Sequence, residues 1–425
     1  MKKKFFLLLI CSPLLVSAQV TLDECQQWAA ENYPLTQRYD LLEQTSKYTL
    51  ENLQKGWLPQ ITASAQATYQ SAVVELPNAL KSMMEQMGTE VKGLKKDQYK
   101  VALDVNQAIF DGGMIKNQKE VAKLQQQVQN AQNDVDLYAL KDRINNLFFS
   151  VLLMDERLKL NSDLQNLLQV NLDKLQAMKE GGVVMQSDVD RVKVELLQAK
   201  QTEVELESSK NSLLQVLALF CGKKSSELTN LQKPAMQDAS GINNRPELTL
   251  FDSQIRLAEA QEKVLKSSLR PKIGLFAQGY YGYPGYNMYE DMFSHKWSLN
   301  GLIGARITWN ISNFYTNKNE RRKLAVQREL VENARDVYLF NNNLQNTQDL
   351  ETISRYQKLM KEDDDIILLR KAVRESTEAK LEGGIINTSD LVKEITSENQ
   401  ASIAKSTHEL EMLKAIYEQK TLNNN

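Results

Sequence analysis

The residues able to do chemistry are few and scattered. Asp363-Asp364-Asp365 offers three carboxylates, but helical neighbours point around the axis instead of converging, so the run reads as a solvated helix face. His295 and His408 stand alone, without the Cys/His spacing of a zinc site or the turn that presents a nucleophile. Gly112-Gly113 after Phe110-Asp111 lacks the spacing of a phosphate loop and reads as a strand-to-helix bend. Cys25 and Cys221 read as two buried free thiols, although spacing alone does not exclude a disulfide. No enzyme, metal or cofactor is expected from these residues.

What is patterned is a repeat. Glu180-Gly181-Gly182-Val183-Val184-Met185-Gln186-Ser187-Asp188-Val189 recurs 202 residues later as Glu382-Gly383-Gly384-Ile385-Ile386-Asn387-Thr388-Ser389-Asp390-Leu391. Asn32-x-Pro34 and Pro59 likewise recur as Asn244-x-Pro246 and Pro271. One supersecondary unit is therefore present twice, over 19–221 and 244–425, with a linker at 222–243. Residues 1–18 read as a signal peptide: Lys2, Lys3 and Lys4, an apolar run from Phe5 to Val16, then small residues at Ser17 and Ala18. Acylation at Cys11 is disfavoured, because Ile10 stands where a small residue is required. Without the three lysines the charge is about −5, which disfavours nucleic acid as a partner. No later run has the apolar length of a membrane-spanning helix.

The elements follow from periodicity. Met114–Glu180 contains 67 residues and Phe314–Glu382 contains 69, none of them Gly or Pro, so each reads as one helix of about 100 Å. Each ends at the repeated Gly-Gly, where the chain can turn back, and Ser187-Asp188 and Ser389-Asp390 offer caps for returning helices that reach about Phe220 and Thr421. Heptad spacing in Val121/Val128/Val135 and Val192/Ala199/Leu206/Leu213 packs them as hairpins. Taken alone, these helices fit an ordinary coiled-coil scaffold equally well. The return helices are half as long as their partners. Helices at Leu35–Trp57 and Glu247–Leu269 have the length to stack end on end with them.

After each repeated proline the period becomes two. Ile61, Ala63, Ala65, Ala67 and Tyr69 alternate with polar residues, as do Val101, Leu103 and Val105. In the second copy Ile273, Leu275, Ala277, Gly279 and Tyr281 form one face of a strand, and Leu299, Ile303, Ile307 and Trp309 one face of its partner. Apolar alternation over ten to thirteen residues is the pattern of transmembrane barrel strands, with Trp57, Trp297, Trp309, Tyr69 and Tyr281 as an interfacial aromatic belt, or alternatively core residues. Four strands cannot close a barrel, and open edges are not tolerated in lipid. Three copies, giving twelve strands, are the economical solution.

Over nearly all of its mature length the chain resembles the TolC-type outer-membrane efflux proteins. The resemblance rests on the doubled order of helix, proline, two strands, long helix, Gly-rich tip and return helix. The family's tip pattern is met by Gly182 to Val189 and by Gly384 to Leu391. It implies a membrane α+β fold: a trimeric 12-stranded transmembrane β-barrel, four strands per protomer, continuous with a long periplasmic α-helical barrel. It implies a channel-tunnel in the outer membrane that exports small molecules or polypeptides, with outer-membrane lipid around it. Its partners would be a periplasmic adaptor and an inner-membrane RND, ABC or MFS-type pump. Gly181, Gly182, Val183, Ser187, Gly383, Gly384, Ile385 and Ser389 fall on the adaptor-docking tips. Asp188 and Asp390 fall on gate aspartates, Asp390 forming a ring of three carboxylates under threefold symmetry. The gate partners depart from the family: Leu381 stands at a Tyr position, Ile386 at an Arg position and Lys393 in place of an acidic residue. Lys393 or Glu394 would supply another ion pair between protomers, and plain helix capping remains an alternative role for both aspartates. The rival reading is a periplasmic adaptor or structural scaffold, but an adaptor has one long hairpin and a scaffold needs no alternating strands.

Overall fold

The computed structural model describes residues 19–236 and 243–423. The signal-peptide segment 1–18 lies outside them, as do residues 237–242 of the linker. The first half contains α1 (Leu22–Asn32), α2 (Gln37–Gln54), β1 (Gln60–Tyr69), α3 (Asn78–Gln86), β2 (Asp97–Phe110), α4 (Met114–Glu180) and α5 (Gln186–Cys221). The second contains α6 (Pro246–Ser268), β3 (Lys272–Tyr283), α7 (Met288–Ser294), β4 (Ser298–Thr308), α8 (Asn313–Glu382) and α9 (Thr388–Asn423). No described helix is long and apolar enough to cross a membrane. The chain divides into two units: a strand unit of Asp40–Ala131 with Leu250–Ala334, and a helical unit of the remaining residues.

In the strand unit one antiparallel sheet has the order β1-β2-β3-β4. Pro59 and Pro271 immediately precede β1 and β3, where a missing N–H disturbs no ladder. Pairing of Ala63 with Leu103, Leu103 with Gly279 and Gly279 with Gly301 sets the odd-numbered residues of all four strands on one face. A register shift between Ala108 and Phe110 bends β2 as it leaves the sheet. The chain then turns at Gly112 (φ +74°), where a Cβ would come within 2.9 Å of Arg270 Cβ and 3.0 Å of the Ser267 carbonyl oxygen. Only glycine fits this position without displacing backbone. Asp111 opens the following helix by accepting from the Gly113 N–H at 2.8 Å and the Ile115 N–H at 2.6 Å.

In the helical unit two apolar clusters hold the helices. The larger joins Leu22, Cys25 and Ala29 of α1 to Ile144, Phe148 and Val151 of α4, Leu214 and Leu217 of α5, and Leu410, Leu413 and Ile416 of α9. The linker contributes Leu228, fully buried, and its Leu231 pairs with Val20 as an isolated bridge. Pro34 opens a short 3-10 turn before α2, and Pro246 is the first residue of α6, positions where its fixed φ suits a helix start. The repeated asparagines before these prolines mark the ends of the return helices. Asn32 Nδ2 donates to the Leu219 and Phe220 carbonyls of α5, both at 3.2 Å, and the Asn244 N–H donates to the Asn423 carbonyl of α9 at 3.1 Å. Cys25 and Cys221 are free and buried, with Cys221 Sγ donating to the Cys25 carbonyl at 3.6 Å. The neighbouring Cys221 thiol and burial push the Cys25 thiol up.

Candidate functional site: the sheet faces and the hairpin tips

The two faces of the sheet differ in chemistry. The odd-numbered face carries Ile61, Val101, Leu103, Leu275, Leu299, Ile303 and Ile307, all exposed, with Ile303 82% and Ile307 72% accessible. The even-numbered face carries Thr62, Ser64 and Gln66 on β1, Lys100 and Asp104 on β2, Gln278 on β3, and Asn300 and Arg306 on β4. Its charges are organised across strands: Lys100 Nζ donates to Gln278 Oε1 at 3.0 Å, and Gln278 Nε2 donates to Asp104. Strands of 10 to 14 residues rise roughly 24 to 34 Å when tilted about 45°, comparable to the height of a barrel's apolar band of about 25 Å. β1 and β4 each have one unpaired edge.

The five aromatics expected at strand ends occupy both ends. At the loop end Trp297 stacks on Tyr99 with ring centroids 6.1 Å apart and tilts against Tyr281 at 5.4 Å, while Tyr69 is 77% exposed. At the helix end Trp309 donates from Nε1 to the Leu269 carbonyl at 2.9 Å, and the Trp57 carbonyl accepts from Gln107 Nε2 at 2.5 Å. The loops joining β1 to β2 and β3 to β4 are structured. They carry α3 and α7 over a small core of Val91, Leu94, Tyr283 and Met292, and His295 (φ +47°) lies 2.6 Å from the Gly93 carbonyl through Nε2.

The tips are hairpins turned at Gly182 (φ +77°) and Gly384 (φ +66°), with Val183, Met185 and Ile385 exposed. Gly181 and Gly383 precede these turns, their N–H groups donating to Ala177 and Ala379 at 3.1 Å. The capping is not where the sequence places it. Asn387, not Ser389, caps α9, its Oδ1 accepting from the Asp390 N–H at 3.2 Å. In the first tip Asp188, three residues inside the cap, accepts from the Met185 N–H at 3.1 Å. Ser389 accepts instead from Arg191 Nη1 at 3.1 Å, tying the two tips together, and Ser187 is exposed. Beneath the tips Leu168, Leu172 and Leu175 of α4 pack with Val189, Val192 and Leu196 of α5, Leu381 of α8, and Leu391 and Ile395 of α9. Leu381 is thus core, and Ile386 packs against the same cluster. Asp390 and Lys393 are exposed, whereas Glu394 is engaged by Arg370 Nη1 at 3.5 Å.

Charged groups between the helices are the part sequence reasoning missed. Arg374, its side chain 10% exposed, binds Glu378 at 2.8 Å and Glu398 of α9, while Glu378 also accepts from Asn171 Nδ2 of α4 at 3.3 Å. Burial opposes the Arg374 charge, but Glu398 and Glu378 outweigh it and hold its pKa above the usual value. The Arg374–Glu378 spacing of four was readable as a helix pair, though the reach to α9 was not. The aspartate run also differs from a solvated face: Asp363 is buried and lies 2.9 Å from His408 Nδ1, and Asp364 pairs with Lys405. Neither His295 nor His408 is therefore alone. Near the ends of the return helices, Arg245 pairs with Glu247 and lies 4.4 Å from the Tyr138 ring, whose hydroxyl donates to the Thr421 carbonyl at 2.7 Å. Burial pushes Tyr138 up to about 12 and raises the carboxyls of Asp142, Asp349 and Glu418. Among the described residues no group of three or more His, Cys, Asp or Glu side chains is placed to hold a metal ion.

The profile of the family described as Outer membrane efflux protein matches residues 29–223, most of the first repeat. No curated protein matches the chain in sequence. In fold the chain is similar to the outer-membrane channel OprN, with 14% identity and a TM-score of 0.67 over 95% of this chain and 90% of that one. It is also similar to the outer membrane protein VceC of Vibrio cholerae, with 12% identity and a TM-score of 0.66 over 94% and 96%. A third likeness is to the open state of the MtrE outer membrane channel of Neisseria gonorrhoeae, with 14% identity and a TM-score of 0.63 over 95% and 88%. These likenesses are of fold, they span both repeats, and they bear out the resemblance read from the sequence.

Proposed function

We propose that three copies of this chain form an outer-membrane conduit for efflux or secretion. The observation that carries the reading is the sheet: four strands with one largely apolar exposed face, a second face that carries the charged and amide side chains, and two free edges. In lipid such a sheet is satisfied only by closure, and three copies give twelve strands. The apolar face then meets lipid, the polar face lines the lumen, and the long hairpins reach through the periplasm. The tips around Val183 and Ile385 dock a periplasmic adaptor that couples the conduit to an inner-membrane pump. Asp390 lies on the exposed side of its tip and forms a carboxylate ring at the narrow end, selecting cations. Because Glu394 is held by Arg370 of its own chain, exposed Lys393 is the better candidate for the ion pair between protomers.

The test is single-channel conductance of the purified mature protein in planar bilayers, comparing wild type with Asp390→Ala. Discrete cation-selective openings that lose selectivity in the variant support both the conduit and its gate. An unchanged variant leaves the conduit and removes the gate role of Asp390; a folded protein that inserts and never conducts removes the conduit.

A further inference from the structure

We propose that the groove between α6 and the start of α8 binds the phosphate headgroup of an anionic glycerophospholipid in the membrane leaflet nearest the helices. The inference rests on reading the sheet as a membrane wall. The groove, about 420 Å³, is lined by Glu262 of α6 and by Phe314, Lys318, Arg321, Arg322 and Arg328 of α8. Its upper end continues the apolar face: Trp309 is 53% exposed and meets Phe314 edge to face at 6.2 Å, and Ile307 precedes it on the same face. These aromatics mark the edge of the hydrocarbon. At 1.5 Å per residue Lys318, Arg321 and Arg322 lie roughly 6 to 12 Å farther along the helix, the depth of a headgroup layer.

The charges of the groove are not balanced from within. Glu262 is shared by Arg321 at 2.9 Å and Lys266 at 3.1 Å, and Glu259 reaches Arg328 at 4.0 Å. Lys318 and Arg322 make no ion pair among the described residues. The first copy shows the same bias, since Lys116, Lys119 and Lys123 against Glu120 follow β2 in a chain whose overall charge is negative. A basic band just beyond the strands in both copies, in an acidic protein, suits anionic headgroups, and long basic side chains lay their stems on apolar surface while the heads reach phosphate. Arg321 and Arg322 supply planar donors for phosphate oxygens, and Lys318 a point charge.

The experiment is native mass spectrometry of the purified full chain, equilibrated in mixed micelles of phosphatidylglycerol and phosphatidylcholine, for wild type, Lys318→Gln/Arg322→Gln, and the charge-keeping Lys318→Arg/Arg322→Lys. Bilayer conductance is recorded on the same samples. Each phosphate-facing cation contributes roughly fivefold, so the neutral variant should retain on the order of 25-fold less phosphatidylglycerol, with recovery in the charge-keeping variant. Four results overturn the proposal: equal retention by wild type and the neutral variant, equal retention of phosphatidylcholine, displacement of the lipid by millimolar inorganic phosphate, or loss of oligomer in the neutral variant, which would make the groove a contact between copies. Conductance with no phosphatidylglycerol preference sinks the lipid site alone; preference without conductance sinks the conduit alone.

Discussion

Removing the Arg374 guanidinium should loosen the second tip far more than a surface ion pair would. Arg374 is 10% exposed and its partners Glu378 and Glu398 18% each, so Arg374→Ala strands two carboxylates in a largely dry space. Breaking a buried pair typically costs about 3 to 5 kcal/mol. The carboxylates retain a path to water, which brings the expectation here to about 2 to 3 kcal/mol. In local opening that is roughly a 30- to 150-fold change. Hydrogen exchange of the amides from 370 to 400 in detergent-solubilised protein reads it, with the buried segment 144–152 as an internal reference that should not move. Arg374→Lys should recover part of the protection, since a point charge replaces the fork. Neutralising all three groups, in Arg374→Met/Glu378→Gln/Glu398→Gln, should recover most of it, because no stranded charge remains. Exchange within threefold of wild type in Arg374→Ala would show that the cluster does not hold α8 to α9 and would refute the reasoning.

Three further outcomes follow from named contacts. Gly112→Ala forces a Cβ onto Arg270 and the Ser267 carbonyl at positive φ, at about 2 to 3 kcal/mol, and should lower the melting temperature in detergent more than Gly88→Ala, which has open space around it and costs only the positive φ, about 1 kcal/mol. Asn32→Ala removes two bonds to the end of α5 and should cost about 1 kcal/mol, measured by the same melt. Burial raises the folded-state pKa of Asp349, so its contribution to stability is present below the unfolded value of 3.8 and is lost as pH rises through the folded value. Asp349→Asn should therefore gain melting temperature over wild type at about pH 8, with the advantage shrinking as pH falls and lost below the unfolded value of 3.8; an equal difference at about pH 8 and below 3.8 would contradict the assignment.

Legibility in the sequence tracked how local the cause was. The absence of Gly and Pro between Met114 and Glu180 reports a helix directly, because each residue in it needs only its own chain neighbours. Alternation in Ile61–Tyr69 similarly reports a strand with unlike faces. Caps were less legible: Asn387 and Ser389 are both good cap residues, and a two-residue difference in where the turn ends decides between them. Asp363 could not be matched to His408, 45 residues away, since that meeting depends on the stagger of α8 against α9. The helices within the loops, α3 and α7, are short and held by contacts between loops, such as His295 to Gly93, that carry no local period. Arg374 looked like any charged helix residue until α9 and α4 covered it.

The central claim, that three sheets close on one another in a membrane, is tested most directly by single-particle electron cryomicroscopy of the purified protein in lipid nanodiscs. A threefold particle is expected, its lipid-embedded wall made of twelve strands with β1 of each copy hydrogen-bonded to β4 of the next. A particle of another symmetry, or one in which the β1 and β4 edges stay unpaired while the apolar face packs on protein instead of lipid, would contradict it.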